Sequence, residues 1–263
     1  MSVKLIDKLW NWGHLEGSHN KIVPFDCKMS PEGFADEYGI KNSFIVSYGG
    51  NIQPPFNDLA KRFSKLNNVK WSVLGDASSP LPDAELGNTD DVIECLSDAG
   101  NISGCVMDDF FSPERMERFP PKVLKKIQNK LNQNGLDFWC VLYNGKLDED
   151  VSAHLECFDG VSFWIWGCDK IVNVDTYVDK FLSITKGKKR MLGIYLYDYL
   201  DDKTQPMNID LFKMQMDKYF NLLKDGVIDG IIFCSNTVGD ADLETNKLLK
   251  QYVKKYGDIE IKE

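Results

Sequence analysis

The sequence predicts a single (β/α)8 barrel that spans residues 1–263. Three observations support this fold class. The length of 263 residues fits one barrel, which typically needs about 250 residues. Eight short apolar segments alternate with helix-like stretches, and the ends of these segments lie about 23 to 38 residues apart, which is room for one strand and one crossover helix.

The eight predicted strands are short and rich in apolar residues. Runs such as Phe44-Ile45-Val46 are continuously apolar rather than alternating, which is typical of parallel strands buried on both faces. The predicted strands are residues 8–13, 43–48, 70–74, 104–107, 137–142, 160–165, 190–196 and 230–234.

The segments between the strands carry helix signals. Asn208 is a plausible N-cap with an acidic first turn after it, and Gly226 is expected to end that helix. Thr89 is expected to open another helix, and residues 122–134 carry an apolar stripe that stops at Gly135. Pro24 and Pro31 are expected to interrupt the helix after the first strand.

Alternating strands and helices also fit an open, doubly wound sheet. An open sheet that binds a dinucleotide should carry G-x-G-x-x-G after its first strand, and this motif is absent. The pair Gly49-Gly50, followed by Pro54-Pro55, indicates a turn. Eight units in this length favour the closed barrel.

Composition restricts the partners and the compartment. The net charge of −9 and the lack of a basic stripe argue against nucleic acid. The chain shows neither a signal-like amino terminus nor a membrane-spanning apolar run, so we expect a cytoplasmic protein with no membrane partner. The seven cysteines include no CxxC pair and are expected to be free thiols, and no metal or cofactor is predicted.

Polar and aromatic residues collect where the predicted strands end, which is where active sites of such barrels lie. Aromatic rings can cover the C–H faces of a sugar while carboxylates and amides bind its hydroxyl groups, so this pattern predicts a small-molecule or oligosaccharide ligand. Besides the acidic residues considered next, the predicted substrate-binding residues are Trp12, His14, Glu16, Asp76, Tyr143, Asn144, Trp164, Trp166, Tyr195, Tyr197 and Asn236.

Three aspartates are the candidate catalytic residues. Asp108 and Asp109 end the fourth predicted strand, and Asp198 ends the seventh, so the two ends should face each other across the mouth. Glycosidic bond cleavage needs two carboxyl groups in unlike environments that flank the bond. Adjacent residues of a strand point to opposite faces, so we expect one of the pair, Asp109, to enter the mouth. If Asp198 points elsewhere, Glu16, Asp76 and Asp240 are the next candidates.

Three segments carry a family resemblance, namely residues 104–111 (GCVMDDFF), 193–199 (GIYLYDY) and 226–233 (GVIDGIIF). They resemble glycoside-hydrolase-like TIM-barrel proteins over roughly the carboxyl-terminal two thirds of the chain. The resemblance implies this fold and a carbohydrate substrate. The large clan of such enzymes carries glutamate after strands four and seven, whereas this chain has aspartate at both places. That departure leaves open an inverting enzyme, a different carboxylate pair or a barrel without catalysis.

Two alternatives remain open. A non-catalytic carbohydrate-binding barrel would have the same aromatic lining. A magnesium-dependent lyase or isomerase could use Asp76, Asp108 and Asp198 as oxygen ligands, but the strand ends lack the usual lysine or histidine base. Trp164 and Trp166 share a face of the strand, so both should line the core or both should line the barrel mouth. We predict that both line the mouth.

Overall fold

A computed structural model describes residues 2–200 and 204–262 and confirms a closed barrel of eight parallel strands. The barrel strands are β2 to β9, each paired with the next in chain order, and β9 pairs with β2 to close the ring. The strands are β1 (Ser2–Lys4), β2 (Leu9–Gly13), β3 (Asn42–Ile45), β4 (Asn68–Leu74), β5 (Ile102–Met107), β6 (Asp137–Tyr143), β7 (Gly160–Trp164), β8 (Lys189–Tyr195), β9 (Gly230–Cys234) and β10 (Glu260–Lys262).

Helices cover the outside of the barrel between successive strands. Their apolar faces pack on the outer face of the strands, so that each barrel strand is buried on both sides. Within the described ranges the α-helices are α1 (Pro31–Tyr38), α2 (Asn57–Arg62), α3 (Thr89–Glu94), α4 (Pro113–Arg118), α5 (Pro121–Gln133), α6 (Ser152–Leu155), α7 (Val174–Ile184), α8 (Ile209–Lys224) and α9 (Glu244–Tyr256).

The helix boundaries follow the predicted signals with one correction. The Asn208 side chain accepts hydrogen bonds from the backbone of the first turn of α8, and Gly226 has a left-handed φ of 70° just after that helix. Pro31 does not interrupt a helix. It is the first residue of α1, where its missing N–H is not needed, and the Ser30 side chain caps the same turn.

Large aromatic rings fill the inside of the barrel, and glycines on the neighbouring strands make room for them. A Cβ atom at Gly193 would lie 2.1 Å from the Trp164 ring, and one at Gly160 would lie 2.4 Å from the Trp139 ring. The barrel interior is therefore a packed core and not a channel.

A short antiparallel ribbon joins the two ends of the chain: β1 pairs with β10, from Ser2 opposite Lys262 to Lys4 opposite Glu260. The sequence analysis did not predict these two strands. All seven cysteines are buried free thiols, as predicted. Among the described helices, none combines the length and hydropathy required to cross a bilayer.

Candidate active site at the carboxyl ends of the strands

A cavity of about 240 Å³ lies at the carboxyl ends of the barrel strands, and we call it the mouth cavity. Its wall is mainly aromatic, and its polar groups include three carboxyl groups, two imidazoles and the hydroxyls of its tyrosines, the composition expected of a site that binds a small polar ligand. The lining residues are Trp12, His14, His19, Ile22, Tyr48, Asp76, Asp108, Asp109, Tyr143, Trp166, Tyr195, Tyr199 and Cys234.

A wider space of about 610 Å³, which we call the outer groove, adjoins the mouth cavity. The two spaces share Asp109, Tyr143 and Trp166, so a ligand longer than one ring can extend from one into the other. The outer groove is lined by Ala77, Asp109, Tyr143, Asn144, Gly145, Lys146, Glu149 and Trp166.

Asp109 is fixed by contacts with two other segments of the chain. One carboxylate oxygen accepts a hydrogen bond of 2.7 Å from the Tyr143 hydroxyl, and the other accepts one of 2.8 Å from the Ala77 backbone N–H. Asp109 also has a left-handed φ of 45°, which aspartate tolerates better than most residues with a Cβ. The carboxylate is therefore held at the point where the mouth cavity and the outer groove meet.

Asp108 lies beside it in a different environment. It is only 4% exposed, and its carboxylate accepts a hydrogen bond of 2.8 Å from the Asp109 backbone N–H. Burial, followed by the nearby charges of Asp109 and Asp76, raises the pKa of the Asp108 carboxyl well above its ordinary value. This group therefore retains its proton at pH values where an exposed aspartate has lost it.

Both aspartates line the mouth cavity, and the expectation that only one would do so is wrong. The physical reason is the backbone of Asp109. Strict alternation of side chains holds for extended residues, but β5 ends at Met107 and Asp109 adopts φ 45°. The turn brings the second side chain back to the side of the first.

Arg115 holds the loops that carry the acidic residues. Its guanidinium is buried and donates hydrogen bonds to the backbone carbonyls of Gly75, Asp76 and Asp108. Because these carbonyls follow β4 and β5, one side chain fixes both strand ends. No sequence pattern indicates this role, because Arg115 lies on α4, seven residues after Asp108.

Asp76 is the most fully bonded carboxylate of the three. It accepts hydrogen bonds from the Gly49 backbone N–H and from the side chains of Ser78 and Ser79. Burial opposes ionisation, but the hydrogen bonds from Ser78 and Ser79 outweigh it and lower the pKa of Asp76. Asp76 therefore supplies a fixed negative charge near Asp108 and organises its own loop.

Trp164, which ends β7, and Trp166, which follows it, do not share one environment, so the expectation that both line the core or both line the mouth is wrong. Trp164 is 2% exposed, packs on Trp12 and Tyr195, and donates its N–H to Ser162 inside the barrel. Trp166 is 37% exposed and lines both the mouth cavity and the outer groove. The two side chains do lie on one side of the strand. Trp166 is two residues further along the chain, which is enough to move its ring from the core layer to the mouth.

Asp198 does not join the other aspartates. Its carboxylate accepts weak hydrogen bonds of 3.4 Å from the Cys168 backbone and from the Gln205 side chain, and it does not line the mouth cavity. Its backbone pairs with Gln205 in an isolated bridge, so the residue belongs to the loop after β8. Tyr197 also lies outside the cavity, because it is buried against Phe25 and the outer core.

His14 lies in the mouth cavity with a defined tautomer. Its Nδ1 is 3.0 Å from the Val46 carbonyl, which can only accept, so Nδ1 carries the hydrogen. Burial lowers the pKa of His14, and the neutral ring then leaves Nε2 as a hydrogen-bond acceptor. The His14 ring packs against the His19 ring at an angle of 52°, with 4.9 Å between their centroids, and both rings line the mouth cavity.

The remaining predicted residues divide between the cavity and structural positions. Trp12 and Tyr195 line the mouth cavity, and Asn144 lines the outer groove while accepting a hydrogen bond from the Trp166 backbone. Asn236 is completely buried and bonds to both the N–H and the carbonyl of His14, so it holds the end of β2. Glu16 forms an ion pair of 2.7 Å with Arg62 and lies outside both spaces.

Several lining residues were not among the predicted site residues. Tyr48 ends a predicted strand, and Tyr199 lies four residues after Tyr195 and on the same face, so the sequence held a signal for both. His19 and Ile22 come from the loop after β2, and Lys146 and Glu149 from the loop after β6. No periodic pattern indicates how such loops fold back over a site.

The magnesium hypothesis receives no support from the arrangement of ligands. Asp198 lies apart from Asp76 and Asp108, which share the mouth cavity. Within residues 2–200 and 204–262, no group of three or more histidine, cysteine, aspartate or glutamate side chains is placed to hold a metal ion.

Comparisons with known proteins establish the fold. No protein-family model matches the chain, and no curated protein sequence matches it. The spore cortex-lytic enzyme SleL of Bacillus megaterium QM B1551 is structurally similar, with a TM-score of 0.62, 12% identity, and coverage of 99% of this chain and 76% of that one. A candidate alpha-L-fucosidase of Bacteroides thetaiotaomicron VPI-5482 gives a TM-score of 0.60 and 12% identity, with 97% of each chain covered.

A chitinase of Chromobacterium violaceum ATCC 12472 gives a TM-score of 0.55 and 10% identity, with coverage of 93% of this chain and 98% of that one. The tryptophan synthase α-subunit of Pyrococcus furiosus also matches, at a TM-score of 0.52 and 13% identity. The structural neighbours thus include glycoside hydrolases with a TIM-barrel fold, together with barrels of unrelated chemistry. At such identities the likeness shows the fold alone.

Proposed function

We propose that the protein is a glycoside hydrolase that cleaves its substrate in the mouth cavity. The single observation that carries the proposal is the pairing of Asp108 and Asp109, adjacent carboxyl groups in unlike environments at an aromatic-lined cavity. Glycosidic cleavage needs one carboxyl group that keeps its proton and another that stays ionised. Several structural neighbours with this fold act on carbohydrates, which supports the substrate class.

Asp108 is the proton donor in this proposal. Its raised pKa keeps the carboxyl protonated at pH values where an ordinary aspartate is ionised, and it lines the mouth cavity where the glycosidic oxygen would lie. Transfer of its proton to that oxygen breaks the bond from the oxygen to C1 of the sugar. Asp109 is the proposed partner, because the hydrogen bonds from the Tyr143 hydroxyl and the Ala77 backbone N–H hold its two carboxylate oxygens at the same cavity.

The substrate itself is proposed to supply the nucleophile. The three carboxyl groups that line the mouth cavity follow β4 and β5, which are neighbouring strands, and the remaining described lining is aromatic or neutral. A carboxylate nucleophile on the opposite side of the sugar is therefore not among the described lining residues. A 2-acetamido group can take that role, because its carbonyl oxygen attacks C1 as the leaving group departs, and water then opens the ring so formed.

In that step Asp109 would accept the acetamido N–H and stabilise the positive charge that develops on the group. Each carboxylate oxygen has two lone-pair sites, so the existing bonds from Tyr143 and Ala77 leave one site on each oxygen. The chitinase among the structural neighbours makes 2-acetamido sugars the first substrates to test.

The test measures release of 4-methylumbelliferone from a matched pair of glycosides, the β-N-acetylglucosaminide and the β-glucoside. We expect turnover of the acetamido sugar only. Asp108→Asn and Asp109→Asn should each lower kcat by at least about 100-fold, the usual contribution of a positioned proton-transfer group. Asp36→Asn, on the exposed face of α1, is the matched control and should keep full activity. Equal turnover of both sugars would exclude the acetamido group as nucleophile, and full activity of Asp108→Asn would exclude it as donor.

A non-catalytic carbohydrate-binding barrel is the second candidate, and one observation favours it. Both Asp109 oxygens already accept hydrogen bonds, and the Asp108 carboxylate accepts one from its own loop. Titration calorimetry with N-acetylglucosamine oligomers separates the two functions. Binding without any product, and with equal affinity for wild type and Asp109→Asn, would support the binding protein.

A further inference from the structure

A second cavity, of about 380 Å³, lies at the amino end of the barrel, opposite the mouth. Its size falls in the range of small-molecule pockets. Inward-facing residues of alternate strands form its inner wall, and charged residues lie at its edge. The lining includes Trp10, Lys70, Asp137, Trp139 and Lys189.

Lys70 is the unusual member of this group. It projects from β4 into the barrel, where bulky apolar residues normally lie, and it is only 3% exposed. Its ammonium lies 5.4 Å from the Trp10 ring centroid and 5.1 Å from that of Trp139. Among residues 2–200 and 204–262, its one carboxylate contact is with Asp137, at 2.5 Å.

The neighbouring strand leaves space for this pair. A Cβ atom at Gly104, which lies on β5 between Lys70 and Asp137, would be 2.0 Å from the Asp137 carboxylate and 3.0 Å from the Lys70 ammonium. Only glycine at this position allows both groups to reach the cavity.

Two lysines share the single Asp137 carboxylate. Lys189 contacts the other oxygen at 2.8 Å, so the carboxylate remains neutralised when Lys70 has no charge. Burial lowers the pKa of Lys70, partly offset by the charge of Asp137. Lys189 is more exposed, and its contacts with Asp137 outweigh burial and raise its pKa. The proton is therefore lost from Lys70 first.

The other charged groups around the cavity do not give it an excess of positive or negative charge. Asp7, Lys8 and Asp229 line its edge, and the buried Cys105 thiol adjoins Lys70 from β5. Together with the trio of Lys70, Asp137 and Lys189, they supply equal numbers of acidic and basic side chains. The cavity thus has no strong preference for an ionic ligand.

We propose that this cavity is a second ligand site, in which Lys70 binds a small aldehyde or ketone as an imine. The lone pair of the neutral Nζ attacks the carbonyl carbon and forms a carbinolamine. Asp137 accepts a proton from the nitrogen and returns one to the oxygen. The C–O bond then breaks, the C=N bond forms, and the oxygen leaves as water with the two hydrogens of the amine. Trp10 and Trp139 would enclose the apolar part of the ligand.

The test traps the imine on the unmodified protein. Propionaldehyde is added with sodium cyanoborohydride. Peptide mass spectrometry then identifies the propylated lysines and measures the rate at which each is modified. Lys213, which is exposed on α8, serves as the internal reference. We expect Lys70 to be propylated at least tenfold faster than Lys213 near neutral pH, with a rate that saturates as the aldehyde concentration rises.

Variants provide the controls. Lys70→Arg keeps the charge but lacks the primary amine, so the saturating reaction should disappear, whereas Lys213→Arg should leave it unchanged. Asp109→Asn should also leave it unchanged, since this site is independent of the proposed hydrolase activity. Labelling of Lys70 no faster than Lys213, or a rate that rises linearly with aldehyde, would overturn the proposal and leave Lys70 as a structural ion pair. This measurement on wild type decides the question even if Lys70→Arg fails to fold.

Discussion

The Tyr143 hydroxyl donates a hydrogen bond of 2.7 Å to the Asp109 carboxylate, and it links the end of β6 to the turn after β5. Burial, and then the neighbouring Tyr195 and Asp109, raise the pKa of Tyr143 well above its ordinary value, so the phenol stays protonated and keeps donating. This bond determines where the Asp109 carboxylate lies relative to the mouth cavity and the outer groove.

Tyr143→Phe is expected to lower kcat on the 2-acetamido substrate by roughly 10- to 100-fold, because a hydrogen bond to a charged group contributes about 1.5–3 kcal/mol. Tyr252→Phe is the matched control. It removes a similar Tyr–Asp hydrogen bond, of 2.6 Å to Asp217, on the surface. Steady-state kinetics of both variants should show the loss for Tyr143→Phe only; equal kinetics would mean that this bond does not position Asp109 for the reaction.

Asp108→Asn is expected to become more stable than wild type as the pH rises. The native pKa of Asp108 is raised, so its favourable contribution is complete below the unfolded value of about 3.9 and is lost as the pH climbs toward the native value. Asparagine does not ionise, so the variant does not lose this stability as the pH rises. The difference in Tm, variant minus wild type, should therefore be larger at about pH 7.5 than at about pH 4.5. Asp36→Asn should show no such trend, and a difference that shrinks with pH would contradict the raised pKa.

Trp164 at the end of β7 and Trp166 just after it should respond differently to truncation. Trp166→Ala should weaken sugar affinity by roughly 1–3 kcal/mol with little effect on stability, because Trp166 is partly exposed at the mouth. Trp164→Ala should lower the free energy of unfolding by about 3–5 kcal/mol, because its ring is buried in the barrel. Calorimetric titration and urea unfolding measure the two effects, and unchanged affinity in Trp166→Ala would place the ligand elsewhere.

Gly104→Ala should destabilise the protein by about 1–3 kcal/mol, the usual effect of forcing a methyl group into a packed interior. The added Cβ would meet the Asp137 carboxylate at 2.0 Å. Gly100→Ala is the matched control, since a Cβ there has nothing within 4 Å. Urea unfolding should separate the two variants clearly, and equal midpoints would show that the Lys70–Asp137 pair moves aside.

All seven cysteines should react with a thiol reagent once the protein is unfolded without reductant. In the native state the reaction should be slow, because every thiol is buried and burial raises the pKa of groups such as Cys27, to about 12, and Cys105. A colorimetric thiol titration with and without denaturant gives the number of reactive thiols in the unfolded and in the native protein. Five or fewer reactive thiols in the unfolded protein would contradict the prediction that all seven cysteines are free thiols.

The sequence by itself determined the barrel and the strand ends that line the mouth cavity. Strand and helix periodicity are local, so residues such as Asn208 and Gly135 marked their boundaries correctly. Because the carboxyl ends of parallel strands gather at one rim, the sequence also indicated that Asp76, Asp109 and Tyr143 would lie together.

The tertiary structure alone decided which side chains enter the cavity. The φ of Asp109 brings Asp108 and Asp109 to one side, and a loop conformation turns Asp198 away, although strand alternation and strand order predicted otherwise. Packing depth placed Trp164 in the core and Trp166 at the mouth. The buried Lys70 has no sequence signal either, because its partner Asp137 on β6 comes 67 residues further along the chain, and Lys189 on β8, which shares that carboxylate, comes 119 residues further along. Turn geometry, depth and long-range pairing depend on contacts that no local pattern of residues records.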